Sequence, residues 1–405
     1  MQDVVIVGGG MVGASLAVLL GEAKLKVTLI EARRFTADWR EDAIDPRVSA
    51  ITAASRALLA SMDVWPGIAA RRASAYTDMR VWDSEGSGEV VFSAADIGVS
   101  ALGHIVENSA ILAALYARLE ALDQVECIDS ARIVALETHA EGRSVTLGDG
   151  RRFPAAVVVA ADGARSTLRE LAGIDVNSRD TGQCGIVTTV HHQRTHARTA
   201  RQRFLPTGPL AFLPLVVKGD SHVSSIVWSA VNEEAKRIMT LDDTAFAAEL
   251  AAALEHCLGA ITSVEPRHSF ALTQRHARHY VEEGLALIGD AAHSIHPLAG
   301  QGVNLGFMDA AVLAEELVTA KRRGAPLHDR RVLSRYSRRR RFDNMMMLQL
   351  MDAFRLGFAS DMPMVRLARN LGMRGVNETL PLKRFLARQA LGERADLPAR
   401  IREYL

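Results

Sequence analysis

The sequence predicts an α/β fold in which a parallel-sheet unit is interleaved with a β-rich unit and followed by helices. Three observations carry this: a β-branched run entering a glycine cluster near the N-terminus, two later apolar runs that each close on an Asp-Gly or Gly-Asp turn, and antiparallel-looking stretches between them. Val4 to Val7 reads as a strand, Met11 to Leu20 as a helix and Val27 to Ile30 as the next strand, which makes a βαβ unit of Rossmann type. From about Tyr76 the texture changes. Met79 to Trp82 and Val90 to Phe92 flank Ser84-Glu85-Gly86-Ser87-Gly88 as a hairpin. A helical period returns between Asn108 and Leu122, and Ala155 to Ala160 is a buried strand that closes on Asp162-Gly163. A second β-rich stretch runs from about Thr181 to Val231, with Ala211 to Val217 and Ser224 to Trp228 as its clearest strands. Leu285 to Ile288 then leads into another turn and a long helix, and everything from about Leu327 onward reads as helical. The nucleotide-binding unit is therefore expected at 1–75, 105–178 and 268–325, the β-sheet substrate unit at 76–104 and 179–267, and a C-terminal helical region at 326–405. No fixed-period repeat or low-complexity linker is present, which excludes a solenoid.

Composition narrows the function. A chain of 405 residues, 48% hydrophobic, can bury a large core. Its 48 Lys and Arg against 47 Asp and Glu leave a net charge of +1, without the electrostatic footprint of a nucleic-acid binder, so a small-molecule partner is expected. Cys127, Cys184 and Cys257 are too few and too widely spaced for a disulfide framework or a zinc cage, which suits a reducing compartment. Met1-Gln2-Asp3 runs directly into a strand, and no stretch of about 18 uncharged apolar residues follows, so a cytoplasmic protein is expected.

Three motifs point to a bound dinucleotide. In Gly8-x-Gly10-x-x-Gly13, between strand and helix, Gly8 permits the tight turn, Gly10 lets the backbone approach a pyrophosphate and Gly13 permits close helix-strand packing. The helix N-terminus stabilises the phosphate charge. Glu31, at the end of the next strand, is placed to accept hydrogen bonds from a ribose diol and to repel a 2′-phosphate, an inference softened by Arg33 and Arg34. The second motif, Ala161-Asp162-Gly163-Ala164-Arg165-Ser166, taken alone is a turn with a helix N-cap. The third begins Gly289-Asp290-Ala291-Ala292-His293 and continues through Pro297-Leu298-Ala299-Gly300-Gln301-Gly302-Val303-Asn304; its carboxylate suits a sugar hydroxyl, and its backbone N–H groups suit a phosphate or a flavin carbonyl.

In this order the three motifs resemble the single-component flavoprotein aromatic hydroxylases of the p-hydroxybenzoate hydroxylase type. Arg47-Val48-Ser49-Ala50-Ile51, Gly103-His104-Ile105-Val106-Glu107-Asn108-Ser109 and His296 through Ala311 are closer still to the ubiquinone-biosynthesis hydroxylases. Arg71 to Tyr76, Ser225 to Ser229 and Asp396-Leu397-Pro398 look most like those members that hydroxylate a polyprenylphenol at ring position 5. The resemblance implies FAD, NADH or NADPH as a transient reductant, O₂, and a polyprenylphenol-type aromatic substrate. It implies that Gly8, Gly10, Gly13, Glu31 and Arg33 hold the ADP half of FAD, that Asp162 and Gly163 serve flavin and NAD(P)H, and that Gly289 and Asp290 take the ribityl and pyrophosphate region. Pro297, Leu298, Gly300, Gln301, Gly302, Val303 and Asn304 would lie along the isoalloxazine, the first three near its reactive edge. Arg47 and Asn108 would contact the cofactor, or be an ordinary ion pair and N-cap. Phe212, Pro214 and Trp228 are candidates for the substrate pocket or for plain sheet core. No catalytic acid or base is singled out, since the cofactor carries the chemistry and the protein positions and shields.

The remaining signals read more plainly. A single dinucleotide fingerprint and the lack of Cys-x-x-Cys argue against a two-nucleotide disulfide reductase. His293 and His296 lack partners at ligand spacing, so no metal is expected. His191, His192 and His196 are expected in a solvated loop. In the tail, Arg338 to Arg341 precede Met345-Met346-Met347, and Leu350, Phe354 and Phe358 recur on one helical face. Such a segment suits the inner face of a membrane, docking on other ubiquinone-biosynthesis proteins, collection of a polyprenyl chain, or packing on its own domain. On the first two readings, deleting Asn344 onward costs association more than FAD binding.

Overall fold

The computed structural model describes residues 1–36, 39–294, 302–358, 360, 362–393 and 396–405. Its centre is the strand Gln2–Val7, flanked on both sides by parallel strands: Val4 to Val7 pair with Val27 to Ile30 and, on the other side, with Val157 to Ala160. The sheet continues through Leu285–Leu287, parallel to Arg152–Ala160, and through Val125–Ile128, parallel to Val27–Ile30. Helices Met11–Glu22, Asn108–Glu120 and Gly302–Arg322 pack into the same core as these strands. Burial on both faces is why Val4 to Ile6 and Val157 to Val159 form unbroken apolar runs rather than alternating ones.

A nine-stranded sheet makes the second unit: eight strands run in the order His293–Ser294, His268–Ala277, Val176–His192, Asp220–Val231, Gly208–Val217, Thr199–Leu205, Asp78–Asp83 and Glu89–Ser93, and the ninth, Ile261–Val264, pairs with the end of Val176–His192. The expected hairpin is its far edge. Here the apolar residues do alternate. Leu210 and Phe212 pair with Trp228 and Ile226 and pack under Ile238, Phe246 and Leu250 from two helices, Asn232–Thr240 and Asp243–Ala253. Leu213, Leu215 and Val223 point the other way, onto Ala50 and Ile105 of a small sheet formed by Val48–Ile51, Gly103–Glu107 and Ala73–Tyr76. This interface joins the two units.

Two expectations change. His268–Ala277, assigned by its position in the chain to the nucleotide-binding unit, pairs antiparallel with Val176–His192 and belongs to the nine-stranded sheet. His191 and His192 lie within a strand, and His192 and His196 are buried: His192 contacts Ser224 and the Arg194 carbonyl, and His196 the Leu215 carbonyl. Burial pushes the pKa of His192 down to about 4, so it is neutral and its polar demand is met by hydrogen bonds.

The tail is helical over Arg330–Phe358, Pro363–Glu378 and Leu380–Ala390. The 29-residue first helix begins beside the parallel sheet, where the Tyr336 hydroxyl donates to the Leu287 carbonyl at 2.7 Å. It ends on the nine-stranded sheet, with Phe358 stacked on Phe204. The second helix is locked to the hairpin by Arg369, whose guanidinium meets buried Asp83 at 2.7 Å and Glu85 at 3.0 Å, and by Asn370, which accepts from the Gly88 N–H. A side chain at Gly86 or Gly88 would collide with Asn370. The Arg338 to Arg341 run is not a uniformly solvated face. Arg339 is bound by Glu315, Glu316 and Asp396, and Arg340 turns inward.

Candidate functional site

All three motifs emerge at the carboxyl edge of the parallel sheet, because the strands that carry them are neighbours. Gly8 leaves the first strand with φ +110°, its N–H donating to the Ile30 carbonyl, and a Cβ there would run into the carbonyl of Ala161 in the second motif. Gly13 faces the Gly8 carbonyl at equally close range. Gly10 differs: it is exposed, and a Cβ there would meet nothing within 4 Å. It also precedes the helix Met11–Glu22 without a side-chain cap, so the N–H groups of the first turn are capped by no side chain among the described residues.

Glu31 sits against this loop. Its carboxylate accepts from the Gly9 N–H at 2.6 Å and from the Arg33 N–H at 3.0 Å, which orients both oxygens while leaving each a lone pair. Tyr116, from the helix Asn108–Glu120, donates to the Gly9 carbonyl at 2.9 Å and meets Phe35 edge to face. A cavity of about 300 Å³ lined by Phe35, Tyr116, Leu119 and Cys127 lies beside it.

The second and third turns are tied to the first. Asp162 spends its carboxylate locally, accepting from the Ser166 hydroxyl and the Leu168 N–H to cap the short helix Thr167–Leu171. Gly163, at φ +82° with open space beside it, is the part of that turn left free to approach a ligand. Arg169 is buried and donates to the carbonyls of Ala291 at 3.0 Å and Ala164 at 3.1 Å, so one guanidinium ties the two turns together. Val12 touches the positions where a Cβ would stand on both Gly289 and Gly306, which brings the third motif onto the first.

Asp290 is the exception in this otherwise satisfied region. Protein surrounds it on most sides, and that burial raises its pKa, yet its side chain opens to solvent. Among the described residues nothing donates a hydrogen bond to it. Arg47 is similar: its loop is pinned by Asp45 and by the buried Arg72–Glu107 pair at 2.7 Å, while its own guanidinium is exposed without a partner among the described residues. Neighbouring Asn108 accepts from the Ser49 hydroxyl at 2.7 Å.

Other expected site residues are placed differently. Asn304 is buried, donating to the Ala50 carbonyl at 2.8 Å and accepting from the Thr52 N–H at 3.1 Å; it fastens its helix to the small sheet. Gly302 and Val303 form the half-buried start of that helix. Pro297, Leu298, Gly300 and Gln301 lie outside the described residues, as does His296. Phe212 and Trp228 are core beneath the two covering helices, and Pro214 shares their strand face by alternation, so all three point away from the turns. Sequence reading passed over Arg169, Tyr116 and, on the helix Gly302–Arg322, Asp309. The last is an acid on a buried helical face, a signal that was available.

A carboxylate with no partner among the described residues, a helix N-terminus without a side-chain cap and a glycine cradle on one edge fit a dinucleotide, whose hydroxyls and diphosphate find partners there. Comparison with known proteins agrees. The model of the FAD binding domain family matches residues 1–349. The 3-demethoxyubiquinol 3-hydroxylase of Escherichia coli (strain K12) is 38% identical over 96% of this chain and 98% of its own. The ubiquinone hydroxylase UbiL of Rhodospirillum rubrum is 40% identical, covering 97% and 90%, and the human mitochondrial ubiquinone biosynthesis monooxygenase COQ6 is 32% identical, covering 95% and 91%. The crystal structure of p-nitrophenol 4-monooxygenase PnpA from Pseudomonas putida DLL-E4 shares the fold, with a TM-score of 0.77 at 21% identity over 98% of this chain and 99% of that one.

The first two glycines of the first motif, Gly8 and Gly10, separate structural from ligand-facing roles. Gly8→Ala should cost the cofactor-free protein about 3 kcal/mol, from left-handed strain plus overpacking against Ala161. Gly10→Ala should change it by less than about 0.5 kcal/mol. Urea unfolding of both variants checks this, and equal losses would contradict the assignment.

Proposed function

The chain belongs to the FAD binding domain family, as a flavoprotein aromatic monooxygenase that uses NAD(P)H and O₂, and we propose that it hydroxylates the ring of a polyprenylphenol intermediate of ubiquinone biosynthesis. The observation that supports this best is the convergence of Gly10, the uncapped helix and Asp290 on one edge, in a chain similar almost end to end to ubiquinone-pathway hydroxylases. Bound there, FAD supplies reducing equivalents from NAD(P)H to O₂ and so an electrophilic oxygen for an electron-rich ring.

The chain's own residues bind and orient. Glu31 accepts the ribose hydroxyls of the ADP half, and the N–H groups after Gly10 face the diphosphate. Asp290 accepts from the polyol between diphosphate and ring system. Gly163 and the helix start at Gly302 and Val303 approach from either side, and Arg47, with Arg33 at the far rim, supplies positive charge to an anionic cofactor. Asn108 orients the strand end that carries Arg47.

No described helix is long and apolar enough to cross a membrane. The tail nevertheless exposes Met345, Met346, Leu350, Phe354, Met364, Leu367, Leu371 and Phe385 along its three helices. We read it as the side that meets the inner face of a membrane, where an isoprenoid substrate resides.

Three outcomes test these readings. Anaerobic mixing with NADH or NADPH should reduce the flavin faster when a short-chain 2-prenylphenol is present, and admitting O₂ should give a ring-hydroxylated product, with position 5 the sequence-based expectation. Equal rates on water-soluble phenols would move the substrate class. Asp290→Asn should weaken FAD binding about ten- to hundred-fold, and unchanged FAD affinity would remove Asp290 from the site. Leu350→Ser with Phe354→Ser should lower the fraction floating with phosphatidylglycerol vesicles and leave FAD content unchanged, and undiminished flotation would assign that surface to another partner.

A further inference from the structure

A buried cluster centred on Asp309, a residue outside the three motifs, holds the Asp290 turn from beneath. Asp309, on the helix Gly302–Arg322, is fully buried, and both its oxygens are used twice. Oδ2 accepts from the Gly289 N–H at 3.0 Å and contacts His293 Nε2 at 2.5 Å; Oδ1 accepts from Arg340 Nε at 2.8 Å and Asn344 Nδ2 at 3.1 Å. Arg340 is itself buried and donates further to the Asn344 side-chain oxygen and to Asp343. Tyr280 adds a ring beside His293, and its hydroxyl meets His276 at 3.0 Å.

The placement has a consequence for the turn. Gly289 and His293 are the two ends of the segment that presents Asp290, and one carboxylate grips both. Gly289 is at φ +57°, and among the described residues Asp290 makes no hydrogen bond that holds its own loop. Arg169, on the Ala291 carbonyl, supports the interior of the segment. Burial alone would raise the pKa of Asp309, but His293 and Arg340 more than offset this and hold it at about 2, so Asp309 is a carboxylate throughout the neutral range.

We propose that Asp309 is a positioning residue for the cofactor: with His293 and Arg340 it sets the Gly289–Ala292 turn in the conformation that holds FAD, which makes the first half of the helix Arg330–Phe358 part of the cofactor site. This rests on the reading of Asp290 as an FAD ligand. It also corrects the expectation for a truncation at Asn344: that residue is fully buried in the cluster, so removing it strikes the cofactor side as well as the exposed tail.

The test compares purified full-length holoproteins: wild type, Asp309→Asn, His293→Gln, which removes the clamp at one end without stranding a buried charge, and Asp83→Asn, which disturbs the distant Arg369 lock. FAD release on dilution is followed by the return of free-flavin fluorescence, and the environment of bound flavin by visible circular dichroism. Both clamp variants should release FAD about tenfold faster or more and alter the flavin dichroism. The Asp83 variant should melt earlier with wild-type release and spectrum. If Asp309→Asn does not fold, His293→Gln carries the comparison. Wild-type release and dichroism in the clamp variants would overturn the proposal, whatever their melting temperatures. Wild-type protein that holds no FAD would overturn the underlying reading and the proposal with it.

Discussion

Residue-by-residue pairing of Val4 to Val7 with Val157 to Ala160, and of Val158 to Ala160 with Leu285 to Leu287, forces three turns that are far apart in sequence onto one sheet edge. Parallel strands point their carboxyl ends the same way, so each turn enters its helix on the same side and contributes N–H groups there. Gly8 and Gly13 make the approach possible by omitting a Cβ where Ala161 and the Gly8 carbonyl come close. Gly10 and Asp290 then remain open at the place where the others are closed.

A site of this kind has to solve a packing problem. A carboxylate that is to meet a ligand must keep its hydrogen-bonding capacity free, so it cannot also brace its own loop. The chain divides the tasks: Asp290 has no partner among the described residues, while Asp309, Arg169 and the Ala277 N–H, which donates to the Ala292 carbonyl, hold the backbone around it. Ion pairs buried this deeply gain little net stability, but they are strongly directional, and a cluster with every donor and acceptor matched tolerates few alternative geometries.

Local signals in the sequence announced what local chemistry determines. The glycine fingerprint, Glu31, both later turns and the hairpin around Ser84 to Gly88 are each legible because a tight turn or a close approach restricts residue type within a few positions. Long-range placement was not legible in the same way. Whether Phe212 and Trp228 face a pocket or the covering helices depends on a register that one residue of slip would invert. His192 and His196 read as polar and solvated, yet their partners come from Ser224 and Leu215 on other strands. Arg340 sits in a run of four arginines, and only the fold reveals that it alone points at Asp309. The strand His268–Ala277 has no feature of its own that says which sheet it joins.

The geometry of this sheet edge suits one molecule of FAD per chain, held by non-covalent contacts. Native mass spectrometry of the purified protein, followed by denaturation and identification of whatever is released, decides the matter. A one-to-one complex that yields intact FAD in the supernatant is expected; a protein that carries FMN, or a nicotinamide nucleotide alone at the same stoichiometry, would rule this binding out.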